Sequence, residues 1–580
     1  MNDSNLSREI RSEIKHTIGE DVDVSLNDAI ATLKGYVSTY EHVVEAGFTA
    51  AKFHRVFEVV NDLDYPGKTP FVPLPEQSDE LQGMHFDVVI GGAGVVGGAI
   101  ARALSRYNLR VALLEARDDV GTMQTGHCNG LIHPALPTKY GTLKWEMGYK
   151  GNEMYTKLSE ELGFELKRIG TLVLTETLRE AILSPVVIPM ARRHRDPTPI
   201  LLSRKELDKL EPGLAPNIRR GILLRNTGVV SPFEVTVALV ENAIENGVSL
   251  FLGTSVIGLF IEDGAIRGVR TTRGTLSTGL FINVSGLYSD IIAGFANDRF
   301  FTIHPRLGET LIFDKLYQPV NNFIGASSLK TNDNPHSKGG GLIPTIDGNL
   351  QAGPTAVEVP DREDVSVSGD SVKMLIERIN EGLSMIKPQE PPIDKSKIIT
   401  YFAGCRAPTY KEDFIIEPSK KVKGLIHIAG IQSPGLTAAP AIAERVVEII
   451  RDSYKIEEKE SFNPYRRKVK VVRSMDNAER REFVKEHPLY GHIICRCEEV
   501  SEGDIVDILH GPIDIRTIDS VKRRLRAGMG RCQGGFCLTR VMEIISREKG
   551  IPFEEVRKNG PGSFIVKEKT KEGYEALYHH

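Results

Sequence analysis

Four of the six cysteines lie near the C-terminal end, as Cys495-x-Cys497 and, 34 residues on, Cys532-Gln533-Gly534-Gly535-Phe536-Cys537. Thiolates at these spacings can converge on one centre, either a [2Fe–2S] cluster or a structural zinc ion. Gly528, Gly530, Gly534 and Gly535 let backbone N–H groups approach sulfur, as redox clusters require. Ser501 is placed to cap a helix over 503–509, and a second helix is predicted over 538–547. Both helix N-termini would then offset the negative charge of a cluster. Six cysteines in 580 residues are too few for a disulfide framework.

A second group of residues is arranged to hold a dinucleotide. Residues 86–90 read as a buried strand, followed by Gly91-Gly92-Ala93-Gly94-Val95-Val96-Gly97-Gly98, a helix over 99–107 and a strand over 109–114 ending at Glu115. Gly92 permits the tight turn, Gly94 lets backbone approach a pyrophosphate, and Gly97 lets helix pack closely on strand. The helix N-terminus offers N–H groups and a positive dipole end to phosphate. Glu115 can accept hydrogen bonds from a ribose diol, which also disfavours a 2′-phosphate there.

Four further segments resemble the D-amino-acid-oxidase-like superfamily of FAD enzymes. Thr125-Gly126-His127-Cys128-Asn129-Gly130 is similar to its flavin-contacting loop, and Thr227-Gly228-Val229-Val230-Ser231-Pro232 to its G-x-V-x-P strand. Residues 281–290, FINVSGLYSD, resemble the strand-to-turn that returns the chain to the flavin domain, and residues 430–444 resemble the last glycine-rich turn. N–H groups at the start of the helix after that turn would stabilise the negative charge of reduced flavin. The resemblance spans about 86–450 and implies FAD held by Gly92, Gly94, Gly97, Glu115, Thr125, Gly126, Asn129, Gly130, Gly286, Gly435, Leu436 and Thr437. The stretch from Cys495 to Cys537 is similar to the BFD-like module of anaerobic glycerol-3-phosphate dehydrogenase large subunits, which favours [2Fe–2S] over zinc.

The same resemblance implies residues for a substrate. Arg406, in FAGCRAPT, matches a position where arginine grips a carboxylate or phosphate, although here Ala407 stands before Pro408. His133, in GLIHPALP, matches a histidine of the glycerol-3-phosphate and 2-hydroxyglutarate branches and has a pKa range suited to a base. The alternative is a histidine packed against the flavin edge. Arg306, in HPRLGETLIFD, could face the pocket where the chain re-enters the substrate sheet, with an ordinary surface arginine the favoured reading; Cys128 and Cys405 read as small buried residues. The turn at 432–437 lacks the lysine that the glycerol-3-phosphate branch carries and is closer to the L-2-hydroxyglutarate dehydrogenase branch.

The alternation of strands and helices gives an α/β class, and the resemblance implies an FAD-binding Rossmann-like domain with an interleaved α+β substrate domain, plus small N-terminal α/β and C-terminal helical iron–sulfur domains. The flavin domain is expected at about 85–160, 222–300 and 400–450, and the substrate domain at about 161–221 and 301–399. Residues 1–65 read as helix, two strands, helix and strand and resemble the BON module, a lipid-surface or protein-docking unit; an accessory unit with no ligand is the alternative. Prolines 66, 70, 73 and 75 mark a linker over 66–84. A second linker is expected over 451–486 and the cysteine domain over 487–560.

Lys+Arg 73 against Asp+Glu 77 leaves a net charge of −4, so no global basic field attracts nucleic acid. No apolar run approaches the length of a bilayer span, and residues 1–20 lack a signal-peptide core, so a cytoplasmic protein is expected, with peripheral membrane contact left open. Arg516, Lys522, Arg523, Arg524, Arg526 and Arg531 read as a solvated face, as charge balance for the cluster or as a docking surface for an acidic partner. The expected activity is an FAD-dependent dehydrogenase. It would take hydride from the CH–OH carbon of a small anionic substrate, glycerol 3-phosphate or a 2-hydroxy acid such as L-2-hydroxyglutarate. Electrons would pass through the cluster to a partner protein or subunit, in an oligomer. The rivals are an opine- or proline-dehydrogenase-like amine dehydrogenase and a non-catalytic electron-transfer subunit.

Overall fold

A computed structural model describes residues 3–134, 138–193, 198–325, 341–467 and 472–567. The unit at the N-terminus runs helix Asp3–Ile18, strands Asp23–Asn27 and Ile30–Tyr36, helix Tyr40–Ala51 and strand Glu58–Asp64. Leu6, Ile10, Ile14 and Ile18 recur every fourth residue and bury one face of the first helix. The first two strands pair antiparallel and the second and third parallel. Residues 66–84 contain no helix or strand. Their second half is laid along a β-meander, with Gln77 and Leu81 donating to the carbonyls of Thr272 and Arg273.

At the centre lies a six-stranded sheet ordered Ser249–Phe251, Val111–Leu114, Val88–Gly91, Phe281–Asn283, Leu425–Ala429 and Ile415–Pro418. All pairings are parallel except the last. Period-two alternation divides its side chains between two layers. Val88, Ile90, Val111, Leu113 and Ile282 face helices Val95–Leu104, Pro232–Glu245 and Gly435–Ser453. Val89, Ala112, Leu114 and Phe281 face the meander Val256–Glu262, Ala265–Thr271 and Gly274–Ser277. In chain order the strands run 3-2-1-4-6-5, so the order reverses between Val88–Gly91 and Phe281–Asn283, where an open α/β sheet binds its ligand.

A second sheet is built on strand Arg306–Phe313, paired antiparallel with Ile398–Arg406, with Leu350–Gly353 and with Val357–Glu358. Helix Gly369–Ile386 covers this sheet through Leu375, Ile376, Ile379 and Leu383. In the C-terminal unit, strands Ile493–Cys495 and Val500–Ser501 precede helices Glu502–Leu509, Ile518–Leu525 and Leu538–Lys549. Its apolar residues are continuous with the core around the six-stranded sheet rather than forming a separate cluster. The stretch leading to it is also laid down: Arg466 pairs with Glu241 at 2.6 Å, and the Asn463 carbonyl accepts from Asn242 and Asn246.

Of the three readings of the basic run between Arg516 and Arg531, the solvated face is the one the ion pairs contradict. Arg523 and Arg524 pair with Asp119, Arg526 with Glu498 and Asp347, Arg531 with Asp314, and Arg516 with Asp514. Most of this charge is spent holding the C-terminal unit to the rest of the chain. Among the described residues, no helix is long and apolar enough to cross a membrane.

Candidate active site

A cavity of about 1450 Å³ opens at the C-terminal ends of the central strands. Gly91, Gly92, Glu115, Ser285 and Gly286 line it at the point where the strand order reverses. Gly92 has φ +124°, and a Cβ there would stand 2.7 Å from the Val284 carbonyl oxygen. A Cβ on Gly97 would lie 1.8 Å from the Gly92 carbonyl, so helix Val95–Leu104 reaches the turn only through glycine. Gly94 caps that helix without a side chain, while Thr125 Oγ1 accepts from the Val95 N–H at 3.1 Å. The Glu115 carboxylate accepts from the Ala93 and Arg117 N–H groups, each at 3.0 Å. Burial pushes its carboxyl up, opposed by those donors. In the wall, Gln124 Oε1 and Thr122 Oγ1 are buried with no protein partner. N–H groups at a helix start, an acid at the second strand and unsatisfied polar atoms in one elongated cavity fit an FAD.

Of the residues expected at the cofactor, Gly92, Gly94, Gly97, Glu115, Thr125, Asn129, Gly286, Gly435 and Leu436 line the cavity. Gly126, Gly130 and Thr437 do not. Gly126 and Gly130 shape the loop from behind: a Cβ would meet the Gly121 carbonyl at 2.7 Å and the Val230 carbonyl at 2.3 Å. Thr437 is fully buried, and its Oγ1 accepts from the His133 N–H at 2.9 Å. Its hydroxyl therefore fixes His133 rather than facing the cavity.

His133 and Arg406 both line the same cavity. His133 Nε2 lies 3.3 Å from Ser433 Oγ, and the His133 carbonyl accepts from Asn152 at 2.7 Å. Arg406 ends its strand with Nη2 donating to the Thr355 and Leu307 carbonyls, while its Nε is buried without a partner. Burial pushes this guanidinium down to about 10, the direction that a bound anion reverses. Cys128 and Cys405 line the wall, and burial raises their thiols to about 11 and about 12.

Arg306 overturns its reading as a surface residue. Only 1% of it is exposed, with Nε donating to Glu358 at 2.5 Å and Nη2 to Glu412 at 2.6 Å. The ladder sets Arg306 opposite Arg406, so a buried guanidinium there requires two carboxylates. Glu412 reaches the cavity and also accepts from Gln432. Lys144, missed from the sequence, enters the cavity from the first turn of helix Leu143–Leu162, with Nζ 4.0 Å from Glu412 and 5.9 Å from the Phe414 ring centre. Burial lowers its ammonium pKa, opposed by Glu412 and Asp413.

The four C-terminal thiols fall into two pairs. Cys497 and Cys532 are exposed with sulfurs 3.6 Å apart; Cys495 and Cys537 are buried and hydrogen-bonded to one another. Bonds from Cys537 and from the backbone of Gly528, Glu498 and Cys497 hold the Cys495 thiol below its usual range despite burial. Among the described residues no three metal-ligating side chains converge on one point. A single zinc ion needs all four thiolates at one centre, whereas a [2Fe–2S] cluster takes one pair on each iron. Ser501 caps helix Glu502–Leu509, and Cys537 itself is the N-cap of helix Leu538–Lys549. From the cluster side Arg526 donates to Glu498, next to Cys497, and to Asn349, both at 2.9 Å. Two residues on, Gln351 donates to the carbonyl of Asn129 in the flavin-side loop at 2.6 Å.

Residues 87–449 match the FAD dependent oxidoreductase family, DAO, and residues 493–547 match the BFD-like [2Fe-2S] binding domain. The chain belongs to the DAO family of FAD-dependent oxidoreductases. It is similar to glycerol 3-phosphate dehydrogenase of Caloramator mitchellensis, 39% identical over 489 residues, 84% of this chain and 99% of the relative. It is also similar to human mitochondrial L-2-hydroxyglutarate dehydrogenase, 23% identical over 66% of this chain and 92% of that one. Among solved structures, the FAD-bound L-alpha-glycerophosphate oxidase of Mycoplasma pneumoniae aligns with TM-score 0.59 and 25% identity, over 66% of this chain and 98% of the other.

This DAO-family protein is therefore an FAD-dependent dehydrogenase acting on CH–OH donors, and its cofactors are FAD and a [2Fe–2S] cluster. The match to the BFD-like [2Fe-2S] binding domain decides for the cluster over zinc. Bound FAD supplies the hydride acceptor; the protein's own residues bind, orient and deprotonate what is oxidised.

Proposed function

We propose that the protein oxidises glycerol 3-phosphate at C2, releasing dihydroxyacetone phosphate and passing single electrons through the C-terminal cluster to an acceptor protein or subunit. The observation that carries this reading is Lys144. It brings an ammonium into the cavity beside the 432–437 turn, which has no lysine of its own. Arg406, with Nε unpartnered, offers a planar fork to the phosphate, and Lys144 a point charge. His133 takes the proton of the C2 hydroxyl as hydride leaves the same carbon, so the alcohol becomes a ketone with charge balanced. The similarity to the Caloramator enzyme across nearly its whole length supports the same substrate.

L-2-hydroxyglutarate is the second reading, favoured by the lysine-free turn and by the human relative. Anaerobic titration separates the two. Glycerol 3-phosphate is expected to bleach the flavin, and Lys144→Ala and Arg406→Ala to weaken it at least tenfold, about 1.4 kcal/mol each, with dithionite reduction unchanged. Bleaching by L-2-hydroxyglutarate alone overturns the proposal.

For the remaining parts, the αββαβ order of residues 3–64 supports a BON-like unit. The exposed pair Cys497 and Cys532 supports electron exit at the surface of the C-terminal unit. A cytoplasmic location is part of the same reading.

A further inference from the structure

The N-terminal unit reaches the substrate end of the cavity through three consecutive residues. The Tyr410 ring is buried in the core of residues 3–64, beside Val43, Ala46 and Ala50. A Cβ on Gly47 would stand 2.3 Å from that ring, so helix Tyr40–Ala51 admits Tyr410 only because residue 47 is glycine. Asn61 donates to the Tyr410 hydroxyl at 3.1 Å. On one side Thr409 Oγ1 donates to Glu58 at 3.1 Å; on the other Lys411 Nζ donates to the Ala51 and Phe53 carbonyls at 2.7 and 3.1 Å.

The next two residues are Glu412, which holds Arg306, and Asp413, whose carboxylate accepts from the N–H groups of Leu143 and Lys144 at 3.0 and 2.8 Å. His304 stacks on Tyr410 at 4.4 Å and bonds Glu358 at 2.7 Å, the other carboxylate of Arg306. Phe57 and Glu58 line the cavity directly.

From these contacts we infer that the N-terminal unit is a specificity-determining wall of the active site. By gripping Thr409, Tyr410 and Lys411 it sets Glu412 and Asp413, and through them Arg306 and the Lys144 end of helix Leu143–Leu162. Tyr410 is thus a positioning residue, and anion affinity, rather than FAD binding, depends on how it is seated. The inference rests on the reading of Arg406 and Lys144 as an anion site.

The test uses full-length holoenzyme with two variants, Gly47→Val, which drives a side chain into the Tyr410 ring, and Tyr410→Ala, which empties the seat. Inorganic phosphate, followed by its perturbation of the flavin absorbance, is the probe. Both variants are expected to weaken phosphate and raise KM for glycerol 3-phosphate at least fivefold. FAD content and the spectrum of the reduced cluster should stay as in the parent, and Tyr410→Phe should recover most of the affinity. If Gly47→Val fails to fold, Tyr410→Ala decides. Phosphate affinity unchanged in the folded variants overturns the inference. Phosphate weakened while glycerol 3-phosphate bleaches no flavin, even in the parent, sinks the substrate reading and leaves the wall standing.

Discussion

Asp119 and Arg524 face each other across the seam between the flavin-side loop and the C-terminal unit, joined by two N–H···O bonds of 2.7 and 2.9 Å. Neither side chain is more than 5% exposed. The arginines beside it hold Asp119 below the usual carboxylate range despite burial. With one apolar core running through both units, this bidentate pair fixes the cluster site against the flavin unit. Removing one partner of such a pair strands a buried charge, at a cost of about 3–5 kcal/mol. Asp119→Ala is expected to split thermal unfolding into two transitions, and to slow reduction of the cluster after anaerobic substrate addition while flavin bleaching stays fast. Stopped-flow absorbance follows both. A single transition with unaltered cluster reduction would contradict rigid docking.

The paired thiols make a second prediction. If each iron is held by one buried and hydrogen-bonded pair or one exposed pair, losing any one ligand empties half the donor set of one iron. Cys537→Ser and Cys532→Ser should each lower bound iron from about two per chain to a small fraction, with FAD retained, because the dinucleotide turn lies in a separate part of the chain. Iron analysis beside flavin absorbance reads this out. Zinc at one equivalent in the parent protein, with no iron, would reject the assignment.

What the sequence made legible was whatever backbone geometry alone demands. Gly92 and Gly97 are required by contacts within a few residues or with an adjacent strand, so their spacing carries the site. Helix Asp3–Ile18 and strand Ile30–Tyr36 follow apolar periods that any local window contains. The burial of Arg306 is illegible for the opposite reason: Glu358 and Glu412 reach it from 52 and 106 positions away. The sequence leaves the role of the arginines at 523–531 open because Asp119, Asp314 and Asp347 approach them from distant parts of the chain. Resemblance puts Thr437 at the cofactor, yet only its pairing with the His133 backbone shows what the hydroxyl does. Lys144 had no local signal at all, since a lysine at a helix start is ordinary on a solvated face.

Glu58 supplies the pH-dependent prediction. It sits in the seam under Thr409, 4% exposed, and burial pushes its carboxyl up to about 8 against the opposing hydrogen bond from Thr409 and the charge of Lys411. The folded state thus binds the Glu58 proton more tightly than the unfolded chain, where an ordinary glutamate titrates near 4. The stability this contributes is complete below the unfolded value and is lost as pH rises through the folded one, by about 1.4 kcal/mol per pH unit inside that window. Between pH 6 and 8 the seam should therefore loosen. Amide exchange in helix Tyr40–Ala51, corrected for the intrinsic rate, is expected to lose protection with rising pH in the parent protein. Glu58→Gln keeps the shape and the hydrogen-bond acceptor but cannot ionise, so its protection should stay level over the same range. Equal slopes in the two proteins would show that Glu58 is already ionised in the folded state and that the seam owes nothing to its proton.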